Sequence, residues 1–333
     1  LNGFNSMWWY AVQHGTRSVC PMDAITPSGT VYPSFRWASE EMKELRAGEG
    51  QALMAAKRED SGIGVHYSQA SLHASTWDPS WGRLDGVWLQ TFGALEDMGL
   101  QYTCYAYEQI EQQGIDPKRF PVFILPYSQA LSPREAAALR RYVTEGGLLI
   151  ADVRPGVCDQ HGKPQSPGML DDLFGVKRLA GKGVLKNQTG AVESNGKRLE
   201  LTRLDVDEAV RLADGRAFGQ AGETPLVITK TTGKGRAVLL NYGFAAPYSL
   251  RLSPEALPHW QVLRDLLAVQ GVKPPAFVAA NGDPLRHVET VVFHGVATEY
   301  VAFLKYRNSA TEQPVTATVT MDRKLHTYDM RTG

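Results

Sequence analysis

The chain has 333 residues, 43% of them hydrophobic, with 35 lysines and arginines balancing 35 aspartates and glutamates. This length fits two or three domains, and a net charge of zero removes any general pull toward nucleic acid or an anionic membrane. No apolar stretch approaches the roughly 20 residues that span a bilayer. Three scattered cysteines, Cys20, Cys104 and Cys158, form no CxxC pair. They read as free thiols in a reducing compartment, the cytoplasm being favoured, more than as a disulfide or zinc framework.

In chain order, Ser6, Met7, Trp8, Trp9 and Tyr10 read as a buried strand, and a loop rich in Gly, Thr, Ser and Pro follows as far as Pro33. A helix is predicted over Phe35 to Lys57, with Phe35, Ala38, Met42, Leu45 and, after a glycine break, Leu53 on its apolar side. One strand, one loop and one helix cannot bury a core alone. With no initiator methionine or signal-type segment ahead of them, they point to a fragment.

A second domain begins near Asp60. Ile63 to Tyr67 is its first strand, Arg83 to Met98 a helix with Leu84, Val87, Trp88, Leu95 and Met98 near one face, and Gln101 to Tyr105 the next strand. Between strand and helix, Ser68 to Trp81 is predicted as a polar and aromatic loop containing His73, Trp77, Asp78 and Trp81, with His66 just before it. In a doubly wound sheet such a loop sits outside the carboxyl ends of the strands, where ligands commonly bind. It reads either as a pocket or subunit contact, or as an ordered surface loop with buried tryptophans.

The most informative segment is Pro121 to Val153. Val122 to Leu125 is a short apolar run closed by Pro126; Ser132, Pro133 and Glu135 form a capping box with proline at the first helical position. Ala136, Leu139, Tyr142 and Val143 recur at helical spacing, Gly146 and Gly147 end the helix, and Leu148 to Val153 is a second apolar strand. This is one right-handed βαβ unit. Further on, Gly181 to Ala221 reads as an insertion of β-hairpins, and Gly233 to Gly235 as the turn between two β runs. Leu257 to Val269 returns to helix, and Pro274 and Pro275 mark a boundary. The runs Val288–Phe293, Glu299–Tyr306, Val315–Met321 and Leu325–Met330 then suggest an antiparallel sandwich. His161, His259, His287, His294 and His326 are scattered without ligand spacing, so neither a metal nor a cofactor is expected.

The strand, loop, helix, Gly-Gly, strand pattern resembles class I glutamine amidotransferase-like domains, in which the second strand runs into a turn carrying a nucleophilic cysteine. Here that turn reads Ile150, Ala151, Asp152, Val153, and Cys158 lies several residues along a loop, so amidotransferase chemistry is not expected. The whole order of pieces, carried by Gly3 to Tyr10, Ser28 to Glu44, Pro121 to Val153 and Gly233 to Tyr242, resembles the C-terminal portion of family 42 glycoside hydrolases. The fold class this implies is α/β. Residues 1–58 would be the last βα unit of a (β/α)8 barrel, 59–273 a flavodoxin-like, amidotransferase-like trimerization domain, and 274–333 a small antiparallel β-sandwich.

The resemblance further implies a carbohydrate substrate, a homotrimer, and a catalytic carboxylate pair upstream of this chain, leaving no catalytic residue within it. Glu40, Glu41 and Glu44 read as solvated helix-surface charge. Trp8, Trp9, Gln13 and His14, near the barrel mouth, are the residues that could touch sugar, with simple packing as the alternative. The loop after that strand reads Gly15 to Asp23 and lacks the glutamate and histidine that hold substrate hydroxyls in the family. The expected function is therefore the non-catalytic part of a glycoside hydrolase acting on β-galactosides or a related sugar. The alternative is a non-catalytic carbohydrate-binding or oligomerization protein.

Overall fold

The computed structural model describes residues 24–26, 28–82, 84–243, 250, 253–274, 277–279, 285, 288–305, 316–319 and 326–330. The chain divides into two compact units, one of residues 1–59, 290–304 and 320–333, the other of residues 60–289 and 305–319.

In the first unit a helix at Pro33–Glu44 continues through an irregular turn at Leu45–Glu49 into Gly50–Ala55. Gly48 leaves helical geometry there, at the glycine break read from the sequence. Lys57–Arg58 pairs antiparallel with Val288–His294, and Glu299–Lys305 completes a three-stranded sheet. The strand expected over Leu325 to Met330 does not form in its described residues, which are irregular from 326 to 330. The alternation is present in the sequence, but Tyr328 is 76% exposed and Met330 44%, so it buries no face.

The second unit is built on a seven-stranded sheet. Its five parallel strands, in chain order Ile63–Tyr67, Tyr102–Ala106, Val122–Leu125, Leu148–Asp152 and Gly235–Leu240, lie side by side as 2-1-3-4-5. Val227–Thr232 and Arg216–Ala217 extend one edge in antiparallel fashion. Side chains alternate across a sheet. Ile63, Val65, Ile124 and Ile150 therefore pack with Leu95 of the Leu84–Asp97 helix, with Met98 in the turn after it, and with Leu263 and Leu267 of the Leu257–Ala268 helix. Phe123, Leu125, Leu149 and Ala151 meet Ile110, Leu139, Tyr142 and Val143 on the opposite face. Because both faces are covered, the central strands read as continuous apolar runs instead of alternating ones.

The Pro133–Glu145 helix starts as its sequence predicts. Ser132 Oγ accepts from the Glu135 amide, Glu135 accepts from the Ser132 amide in return, and Gly146 (φ 124) closes the other end. Tyr142 anchors the helix to the sheet, its hydroxyl donating to the carbonyls of Phe120 at 2.9 Å and Leu148 at 3.1 Å. Val184–Ser194 and Lys197–Asp207 form a long antiparallel hairpin around Asn195 and Gly196, both at positive φ, which is the Asn-Gly chemistry of a tight hairpin turn. Val192, Leu201 and Leu204 from this hairpin join the core on the face of the Leu257–Ala268 helix.

Candidate functional site

In open α/β sheets ligands gather outside the carboxyl ends of the parallel strands. At that edge the segment predicted as a loop from Ser68 to Trp81 is instead the helix Gln69–Trp77 followed by a 3-10 turn at Pro79–Trp81. Ser68 caps it by accepting from the Ser71 amide at 3.1 Å. The buried face of this helix consists of Ser71, Ala74 and Ser75, residues too small and polar to give an apolar stripe in the sequence. Ser71 fastens it to the sheet, donating to the Ala130 carbonyl and accepting from the Ala130 amide, each at 3.0 Å. His73 is exposed and pairs with Gln69 at 3.2 Å. Trp77 is 77% exposed. Trp81 is half-buried, with the Arg154 guanidinium 5.6 Å from its ring centroid. These three candidate residues do not converge; of them Trp81 lines the cavity of about 300 Å³ described below.

Two consecutive residues after the Val122–Leu125 strand lead into two polar clusters. Ser128 is 1% exposed and its hydroxyl lies 2.9 Å from His66 Nδ1. His66 Nε2 lies 2.9 Å from Glu135 Oε1, while Glu135 Oε2 accepts from the Ser132 amide at 2.7 Å. Burial would raise the Glu135 pKa, but the hydrogen bond and charge of His66 and the Ser132 amide outweigh it, and the carboxyl is held below its ordinary value. Serine, histidine and glutamate are also the ingredients of a hydrolase triad. Here both ring nitrogens of His66 and both oxygens of Glu135 are engaged, by Ser128, by each other and by the Ser132 amide, so the array locks the start of a helix.

The turn after Leu148–Asp152 holds no nucleophile. Asp152, completely buried, accepts from the Tyr127 amide. The residue in a left-handed conformation is Arg154, at φ 64, and it reaches Asp78 at 3.4 Å. Cys158 sits further on, in a short strand beside Ala130. Burial pushes its thiol pKa up, with Asp159 and Asp78 adding to the effect against Arg154. This is the reverse of the lowered pKa that makes a cysteine nucleophilic.

The second cluster surrounds a cavity of about 300 Å³ lined by Trp81, Gln90, Tyr127, Asp152, Arg203 and His259 among others. Tyr127 is completely buried at φ 45, and its hydroxyl has no hydrogen-bond partner among the described residues. His259 is 4% exposed, and neither ring nitrogen has a partner there. Burial lowers its pKa to about 4, with the Thr202 backbone acting in the opposite direction. The imidazole is therefore neutral at pH 7, with one donor and one acceptor to offer. The nearby cations are engaged, Lys186 with Asp205 at 2.7 Å and Arg203 with Glu255 at 3.4 Å. A larger groove of about 640 Å³ on the hairpin sheet is lined by Arg198, Glu200, Arg216 and Phe218. Two of its cations are engaged, Arg198 with Glu200 at 2.9 Å and Arg216 over the Phe218 ring.

Tyr127 and His259 escaped the sequence reading. Tyr127 follows a strand-closing proline like any turn residue, and His259 is one of several histidines with no spacing pattern. Trp8, Trp9, Gln13 and His14 lie outside the described residues. Among the described residues no group of three or more His, Cys, Asp or Glu could hold a metal ion, and no helix is long and apolar enough to cross a membrane.

Residues 108–269 match the family model of the beta-galactosidase trimerisation domain. The chain is also similar in structure to the beta-galactosidase from Bacillus circulans sp. alkalophilus (TM-score 0.64, 18% identity, 87% of this chain and 42% of that one). It resembles the beta-galactosidase from Rahnella sp. R3 (0.62, 15%, 88% and 43%) and the alpha-L-fucosidase isoenzyme 2 from Paenibacillus thiaminolyticus (0.56, 13%, 89% and 45%). At these identities the likeness is one of fold, and the chain spans less than half the length of each. No curated protein matches the sequence.

Proposed function

We propose, from the match of residues 108–269 to the family model of the beta-galactosidase trimerisation domain, that this chain is the non-catalytic C-terminal part of a glycoside hydrolase acting on β-galactosides or a related sugar. That match is the observation that carries the reading. The strand order 2-1-3-4-5 supports the finer assignment of residues 59–273 as a flavodoxin-like, doubly wound domain. The flanking segments, 1–58 and 274–333, are assigned by the same reading to the end of a (β/α)8 barrel and to a small β-sandwich. The fucosidase neighbour is the reason to leave the sugar open, since one fold serves enzymes named for different sugars.

The catalytic carboxylates are assigned to a part of the enzyme outside this chain. A retaining glycosidase needs two carboxyl groups about 5 Å apart and free to exchange protons. Asp171 and Asp207, two buried carboxylates that folding brings together, both grip Arg178, at 3.0 and 2.5 Å. Glu135 is committed to His66. The chain is therefore expected to leave aryl β-galactosides unhydrolysed in a chromogenic assay. Turnover abolished by substituting any carboxylate of residues 1–333 would overturn the reading.

The domain family also supports self-association, which we assign to a closed trimer. Trp77, exposed on the Gln69–Trp77 helix, suits an aromatic interface anchor. Light scattering on the intact enzyme should give three times the monomer mass and a lower mass for Trp77→Ala. A monomer with full turnover would rule out the trimer, and the second reading, a carbohydrate-binding or oligomerization protein, would be left only if turnover were absent too.

A further inference from the structure

We propose that the cavity around Tyr127 and His259 is a binding site for a small neutral polyhydroxylated ligand of about monosaccharide size. The site lies wholly within residues 60–289 and does not depend on the glycosidase reading.

Its volume of about 300 Å³ falls at the lower end of the range of small-ligand pockets, roughly 300 to 1,000 Å³. Its chemistry is more telling. Burying a hydroxyl or an imidazole without a partner is unfavourable, and folded proteins seldom do it. Here one cavity collects a completely buried phenol and a buried imidazole that have no partner among the described residues. Gln90 brings an amide and Asp152 a carboxylate to the same space. Donors and acceptors of both kinds thus converge, which fits a ligand whose hydroxyls each donate and accept. Trp81 supplies an aromatic wall of the type that stacks on the apolar face of a sugar ring.

Charge decides between a neutral ligand and an anion. Lys186 and Arg203 border the cavity, but each is already paired with a carboxylate. Among the described residues both cations that line the cavity are engaged, and the buried imidazole is neutral at pH 7, so an anion would find no uncommitted positive charge among them.

Methyl β-D-galactoside, methyl β-D-glucoside and myo-inositol should be titrated into the full chain, with inorganic phosphate as the anionic control. Tryptophan fluorescence and saturation-transfer NMR would report binding. At least one of the three neutral ligands should bind saturably, and phosphate should not. Tyr127→Phe should weaken that binding about fivefold, the worth of one hydrogen bond, while leaving the unfolding midpoint unchanged. Trp81→Ala should remove the fluorescence response. Four results would overturn the proposal: no saturable binding of any neutral probe, preference for phosphate, equal affinity in Tyr127→Phe, or a clear loss of stability in Tyr127→Phe. The last would mean that the hydroxyl already has a partner within the protein. None of these readouts involves galactoside hydrolysis, so failure here and failure of the proposed function remain separate.

Discussion

Tyr127 and Ser128 are neighbours in the chain, yet they feed two opposite kinds of polar cluster. Ser128 enters a network in which both nitrogens of His66 and both oxygens of Glu135 have partners. Tyr127 enters a cavity where its hydroxyl and both nitrogens of His259 have none among the described residues. Both clusters are buried at the same sheet edge, so burial alone does not distinguish structure from function. What distinguishes them is completeness: a satisfied network holds the fold in one arrangement, whereas an unsatisfied one keeps hydrogen-bonding capacity in reserve for something else.

The largest test of this contrast is Glu135→Ala. It removes the carboxylate that orders His66 and half of the capping box on Pro133–Glu145. Breaking a buried pair costs about 3 kcal/mol or more, which urea denaturation at pH 7 should show; a loss below about 1 kcal/mol would mean that the network holds nothing. The pH dependence has a definite sign. The folded-state pKa of Glu135 is depressed, so its contribution is present above the unfolded value of about 4.3 and disappears as pH falls from there through the folded value. Acid unfolding should accordingly be less steep in the alanine variant than in the wild type.

A finer test compares two buried tyrosines. Tyr142 donates to two carbonyls, and Tyr142→Phe should cost about 1 kcal/mol by leaving the Leu148 and Phe120 carbonyls without that donor. Tyr127→Phe is the smallest expected effect, within about 0.5 kcal/mol in the absence of ligand, because no hydrogen bond is lost. Equal costs for the two substitutions would erase the distinction on which the ligand site rests.

The same contrast explains what could be read from the residues alone. The βαβ unit from Val122 to Asp152 was legible because its signals are local: two apolar runs, Ser132 with Pro133 and Glu135, and a Gly-Gly stop. The Gln69–Trp77 helix was hidden because its packing face is Ser71, Ala74 and Ser75, which carry no hydrophobic period. Tyr127 and His259 are 132 positions apart in sequence, and only the fold brings both to one cavity. Trp81 lines the same cavity and stands out in the sequence as a tryptophan, whereas Tyr127 and His259 carry no such local signal.

The glycines of the second unit fix where this domain can grow. A methyl group on Gly233, Gly235 or Gly147 would overlap Thr144, the Val143 carbonyl or the Tyr142 ring, so the end of the Pro133–Glu145 helix and the Val227–Leu240 hairpin are fused without slack. Gly181, Gly183, Gly196 and Gly222 have nothing within 4 Å of the same added atom. Extra residues, an epitope tag or a whole inserted module would be absorbed at the Gly196 and Gly222 hairpin tips and in the connection holding Gly181 and Gly183, and rejected at the other end. Over evolutionary time, length variation in relatives of this chain should accumulate on the antiparallel layer, while the parallel sheet keeps its spacing residue for residue.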